Sequence, residues 1–114
     1  MEALFIELPP FERYRAEYLT DDQFRGLQQI LLKNPECGDV IQHTGGLRKI
    51  RFADLRRQKG KRGGIRVIYY WYLEKSQFLM FTLYDKNQKD DLTKPQQELL
   101  RGMLEQAKKG KLDE

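Results

Sequence analysis

The hydrophobic and polar positions change period several times along the chain, and each change marks an element. The run ALFIEL reads as a first strand, ended by Pro9 and Pro10. Phe11, Tyr14 and Tyr18 then recur at helical spacing, which predicts a short helix. Thr20 opens TDDQ, a capping-box pattern with Gln23 three residues on and acids in the first turn. Phe24, Leu27, Ile30 and Leu31 form the apolar stripe of a second helix, which Asn34 and Pro35 stop. Gly45 and Gly46 signal a turn into LRKIRFA, where alternation separates Ile50 and Phe52 from Lys49 and Arg51. IRVIYYWYL sets Ile65, Val67, Tyr69 and Trp71 against Arg66, Ile68, Tyr70 and Tyr72. After EKSQ, a hairpin connection, FLMFTLYDK sets Leu79, Phe81 and Leu83 against Phe78, Met80, Thr82, Tyr84 and Lys86. Thr93 opens TKPQ, a second capping signal. Leu99, Leu100, Met103, Leu104 and Ala107 then mark a C-terminal helix.

The expected fold class is α+β, in the order β-α-α-β-β-β-α. Three consecutive strands predict a mostly antiparallel, four-stranded sheet with the helices on one face. The helices would cover the side of Ile50, Val67 and Phe81. The open face would carry Lys49, Arg51, Arg66, Tyr70, Tyr84 and Lys86, unless a bulge shifts the register by one. The 114 residues suffice for one domain, 1–114, and are too few for two.

Charge sharpens this picture. The formal total is only +4. Between Arg48 and Arg66, however, nine cations face a single acid, Asp54, a local +8 that leaves the remainder at −4. Such asymmetry points to a polyanionic partner, nucleic acid or an acidic protein segment. Arginine suits phosphate through its planar fork, and aromatic rings can stack bases. Solvated strand ends and extra core are the plain alternative for each residue taken singly.

Other chemistry is sparse. His43 is the sole histidine and lacks a second one for paired acid–base work. Cys37 is the sole cysteine, which excludes an internal disulfide and fits a reducing cytosol. Asp85, Asp90 and Asp91 could be imagined as metal ligands, but their interleaving with Lys86 and Lys89 reads better as loop and helix-start charge. The start MEALFIELPP has neither a basic n-region nor a long apolar stretch, so no secretory leader and no membrane span is expected.

GDVIQHTGGLRKIRFA, GKRGGIRVIYYW and FTLYDKNQKDDL together resemble the RelE/HigB superfamily of toxins from type II toxin–antitoxin modules, nearest its HigB-type branch. The resemblance implies a RelE-like fold related to microbial ribonucleases. It implies ribosome-dependent mRNA cleavage in the A site without a cofactor or metal. It also implies a cytoplasmic protein neutralised by a HigA-like helix-turn-helix antitoxin, whose complex with it binds operator DNA. The family's paired basic positions fall on Lys49 and Arg51, its third-strand arginine on Arg66, and its later basic residue on Lys86. Its catalytic tyrosine has no direct match: Leu92 stands about there, and Tyr84 is the nearest substitute. Arg48, Arg56, Arg57, Lys59, Lys61, Arg62 and Tyr70 would grip RNA or the ribosome.

The implied reaction is attack of a 2′-hydroxyl on the adjacent phosphate. Arg66 would stabilise the phosphorane, with Arg51 assisting. Arginine stays protonated, so the base would be Lys49 or Lys86, unless in-line positioning of the mRNA does most of the work. The alternatives are a non-catalytic RNA- or DNA-binding module on the same face, a metal nuclease on the three aspartates, and an inactive toxin kept for its antitoxin.

Overall fold

The structure, a computed structural model, describes residues 2–52, 64–86 and 92–110. Its elements are β1 (Leu4–Glu7), α1 (Pro9–Tyr18), α2 (Asp21–Lys33), β2 (Asp39–Val40), β3 (Arg48–Phe52), β4 (Ile65–Tyr72), β5 (Gln77–Asp85) and α3 (Lys94–Lys108). Local chemistry explains most boundaries. Both capping boxes form. The Thr20 hydroxyl accepts from the Gln23 N–H at 3.1 Å, while the Gln23 side chain accepts from the Thr20 N–H at 2.9 Å. Thr93 and Gln96 repeat the exchange at 3.3 and 2.8 Å. Each box satisfies two donors that a helix start otherwise leaves open. Pro9 and Pro10 begin α1, where a missing N–H costs nothing.

Among the described residues the sheet has five strands, in the order β1-β5-β4-β3-β2. It is mixed: β1 runs parallel to β5, and the other pairs are antiparallel. The expected four-stranded, mostly antiparallel sheet is corrected in count and in kind. β2 has two exposed residues and so left no alternation to read. β1 joins at the far edge, where Leu4 to Glu7 pair with Gln77 to Met80.

The helices do not share one face. Phe11 and Tyr18 of α1, Leu19, and Phe24, Leu27 and Leu31 of α2 pack on Ile65, Val67, Tyr69, Phe78, Met80 and Leu83. Leu100, Leu104 and Ala107 of α3 pack on the reverse side against Ile68, Leu79, Phe81 and Tyr84. The cause lies in β4: both parities of IRVIYYWY are rich in apolar and aromatic groups, and a strand of that kind wants cover on both faces. Each fully buried Leu or Phe contributes about 1.5–3 kcal/mol. Leu99, expected in the α3 stripe, is exposed.

A bulge sits mid-sheet. Ile68 faces Thr82, yet Tyr69 faces Met80, so Phe81 is a surplus residue in β5. Phe81 therefore packs with α3, not with Ile50 and Val67 as alternation suggested. Phe78 and Met80 go to the α1/α2 side, together with Leu83. The parity of β5 is reversed before the bulge and as expected after it.

Candidate active site

Beyond the bulge, β3, β4 and β5 bring one row of side chains together. Arg51 stands directly opposite Arg66, and Arg66 directly opposite Tyr84. Cross-strand neighbours on one face hold their Cβ atoms about 4.5–5.5 Å apart. Lys49, two residues before Arg51, shares the face and lies opposite Ile68. Two like charges in direct register weaken a sheet where no acid offsets them, and Arg51 and Arg66 are such a pair of cations. Such pairs collect where an anion is to be held.

Arg66 is only 3% exposed. Its Nη1 donates to the Gly64 carbonyl at 3.4 Å, and that carbonyl also accepts from the Lys86 N–H at 3.3 Å. Gly64, just before β4, thus ties Arg66 to Lys86, the residue that follows β5. Lys49 and Lys86 are half-buried and Arg51 is exposed, so the row runs from solvent into the sheet. Lys49 and Arg51 also line a cavity of about 350 Å³ with Cys37 and Asp39. A larger cavity, about 560 Å³, lies beside Leu4 and Lys75 at the β1 edge and contains none of these cations.

Two expected RNA contacts stand elsewhere. Arg48 pairs with Tyr69 and faces the α1/α2 side. Its guanidinium donates to the carbonyls of Gly38 (2.8 Å) and Glu36 (3.1 Å) and pairs with the Glu36 carboxylate at 3.2 Å. Tyr70 lies four residues from Arg66, about 13 Å along the strand. There its ring meets Tyr72 edge-on and the Lys108 ammonium at 4.9 Å. Arg56, Arg57, Lys59, Lys61 and Arg62 lie outside the described residues, as do Asp90 and Asp91. Asp85 is buried. Among the described residues no cluster of three His, Cys, Asp or Glu side chains could hold a metal.

Sequence reasoning missed a brace beneath the row. The Tyr69 hydroxyl donates to the Pro35 carbonyl at 2.8 Å and accepts from the Gly38 N–H at 3.0 Å. Burial pushes the Tyr69 phenol well above its ordinary pKa, so it serves as a fixed neutral peg, not as an acid or base. Gly38 is required there: a Cβ would lie 2.9 Å from the Tyr69 ring and 3.1 Å from the Lys49 carbonyl. The next residue, Asp39, pairs with Lys49. Tyr69, Gly38 and Arg48 therefore anchor the edge that carries Lys49 and Arg51. A tyrosine inside an apolar strand gave no sign of this in sequence.

No family model matches the chain. Solved structures do share its architecture. The isolated Escherichia coli RelE toxin aligns over 90% of this chain and 99% of its own, at 15% identity and a TM-score of 0.50. A free-state variant of that toxin, with two arginines changed to alanine, aligns over 79% of this chain and 90% of its own, at 18% identity and a TM-score of 0.50. The chain has the RelE fold. Identity this low speaks for the RelE fold alone; the cationic row stands on its own geometry. Among the described residues, no helix of this RelE-like chain is long and apolar enough to cross a membrane.

Proposed function

We propose that the chain is the toxin of a type II toxin–antitoxin pair, a cytoplasmic ribonuclease that cuts mRNA in the ribosomal A site. The observation that carries this reading is the Arg51–Arg66–Tyr84 row, set across three strands of a RelE fold. A pair of cations in direct register suits a phosphate whose negative charge grows during reaction. In this mechanism the 2′-oxygen attacks the adjacent phosphorus, and the bond to the 5′-oxygen breaks. The products are a 2′,3′-cyclic phosphate and a free 5′-hydroxyl. Arg66 and Arg51 stabilise the phosphorane, Lys49 or Lys86 takes the 2′-proton, and Tyr84 returns a proton to the leaving oxygen. No step requires a metal. The partners are the ribosome with its mRNA and a HigA-like antitoxin. Operator DNA is met only through the complex with that antitoxin.

One observation favours a second reading. Arg66 is nearly sealed and bonded to a backbone carbonyl, as a structural arginine would be, which suits a non-catalytic RNA-binding module. Translating ribosomes separate the two. The toxin reading expects mRNA cut within the A-site codon, loss of cutting in Arg66→Ala with an unchanged fold, and little recovery in Arg66→Lys, which lacks the planar fork. Binding without cuts by the wild type, or full toxicity of Arg66→Ala in cells, overturns it.

A further inference from the structure

The row ends at Tyr84, and Tyr84 also lines a separate cavity of about 250 Å³. That cavity exists because β1 is short. It pairs with β5 only as far as Glu7 opposite Met80, and the Leu8 N–H closes the pairing on the Met80 carbonyl at 2.9 Å. The chain then turns into α1. From Phe81 to Asp85 the outer edge of β5 has no strand neighbour among the described residues. Tyr14 and Tyr18, one helical turn apart on α1, stand against this edge, with Leu92 as a further wall. We propose that this cavity is a slot for one unstacked RNA base, next to the nucleotide whose phosphate meets Arg66; the proposal rests on the RNA-cleaving reading above.

Four features support it. The volume lies just under the roughly 300–1,000 Å³ of pockets for drug-sized ligands, which is the scale of a single ring system. Three of the lining side chains are tyrosines, and proteins read single-stranded RNA by stacking splayed bases on such rings. Tyr14 is 39% exposed, so a large aromatic surface already faces solvent at the mouth. Asp85, only 1% exposed, adds a carboxyl group to the wall, a polar mark in a mostly aromatic and aliphatic lining. The position is apt as well. Tyr84 is the direct neighbour of Arg66, about 4.8 Å away across the strands, a span comparable with that from a phosphate to a base beside it. Tyr84 would then form the shared wall between the reacting phosphate and the held base, and Asp85 would bias which base is accepted.

The test is binding, measured on the full chain by NMR with labelled tyrosine rings. The probes are the four nucleoside 3′-monophosphates and, separately, inorganic phosphate. The slot requires nucleotides to shift the Tyr14 and Tyr18 rings while phosphate alone leaves them still. Tyr14→Ala should weaken nucleotide binding about 5- to 150-fold, the stacking contribution of one base, and leave phosphate binding unchanged. Tyr14→Phe should bind like the wild type. Asp85→Asn should reorder the four bases. Nucleotides that bind no tighter than phosphate, or that bind Tyr14→Ala undiminished, overturn the slot even if mRNA is cut. A slot that fills while ribosome-bound mRNA stays intact overturns the cleavage reading instead.

Discussion

The two faces of the sheet are built from the same strands but answer to different demands. The α1/α2 face is largely apolar along β4 and β5, with the buried Asp85 at its end opposite Ile65, and other polar groups on it are matched: Tyr69 meets Pro35 and Gly38, and Arg48 meets Glu36. The α3 face is apolar only where α3 covers it. Past Ile68 it turns cationic, and there Arg51 and Arg66 are held in direct register. One face is closed by packing and matched polar groups; the other sets two cations side by side. Two arginines from neighbouring strands show the contrast, since Arg48 ties the β2–β3 edge to Glu36 and Gly38 while Arg66 stands in register with Arg51.

The largest expected effect lies on the first face. Phe11→Ala removes a fully buried ring and should cost about 3–5 kcal/mol in urea unfolding, losing activity and fold together. On the second face, Arg66→Ala should cut the rate of mRNA cleavage by about 10²–10³, while the fold survives. The brace beneath the row comes next. Tyr69→Phe leaves the Gly38 N–H and the Pro35 carbonyl without their partner, which should cost about 1–3 kcal/mol. It also carries a pH signature. A phenol whose folded pKa is raised ionises first in the unfolded chain. Its stabilisation is thus complete below about pH 10 and is lost as pH rises beyond. Tyr69→Phe should flatten that alkaline loss, and an unchanged pH profile would remove the brace from the account. The smallest effect is the most diagnostic. Arg51→Thr relieves a like-charge pair and should raise stability by about 0.2–1 kcal/mol while lowering cleavage. A variant that became both less stable and fully active would reverse the contrast between the faces.

Much of this was legible in sequence, and the failures have physical causes. Thr20 with Gln23 and Thr93 with Gln96 read correctly because a capping box is a local bargain between residues three apart. Arg51, Arg66 and Tyr84 were placed together because strand parity is also local. The second helical layer was missed because alternation in β4 sets one apolar group against another, so neither parity declares itself the exposed one. The parallel pairing of β1 depends on a partner some seventy residues away, which no window can see. Arg48 looked like one more surface cation because its carbonyl partners at Glu36 and Gly38 exist only after the loop folds back. The contact of Tyr70 with Lys108 was hidden because it exists only once α3 lies against β4.

The surplus residue Phe81 has one further consequence. Counted from the observed positions of Phe78 and Met80, an unbroken strand would sink Tyr84 among the side chains of α1 and α2. The extra residue turns the strand half a step out of phase, and Tyr84 emerges beside Arg66 instead. β5 is in effect two short strands spliced at one joint, the first presenting Phe78 and Met80 to α1 and α2, the second presenting Tyr84 to Arg66.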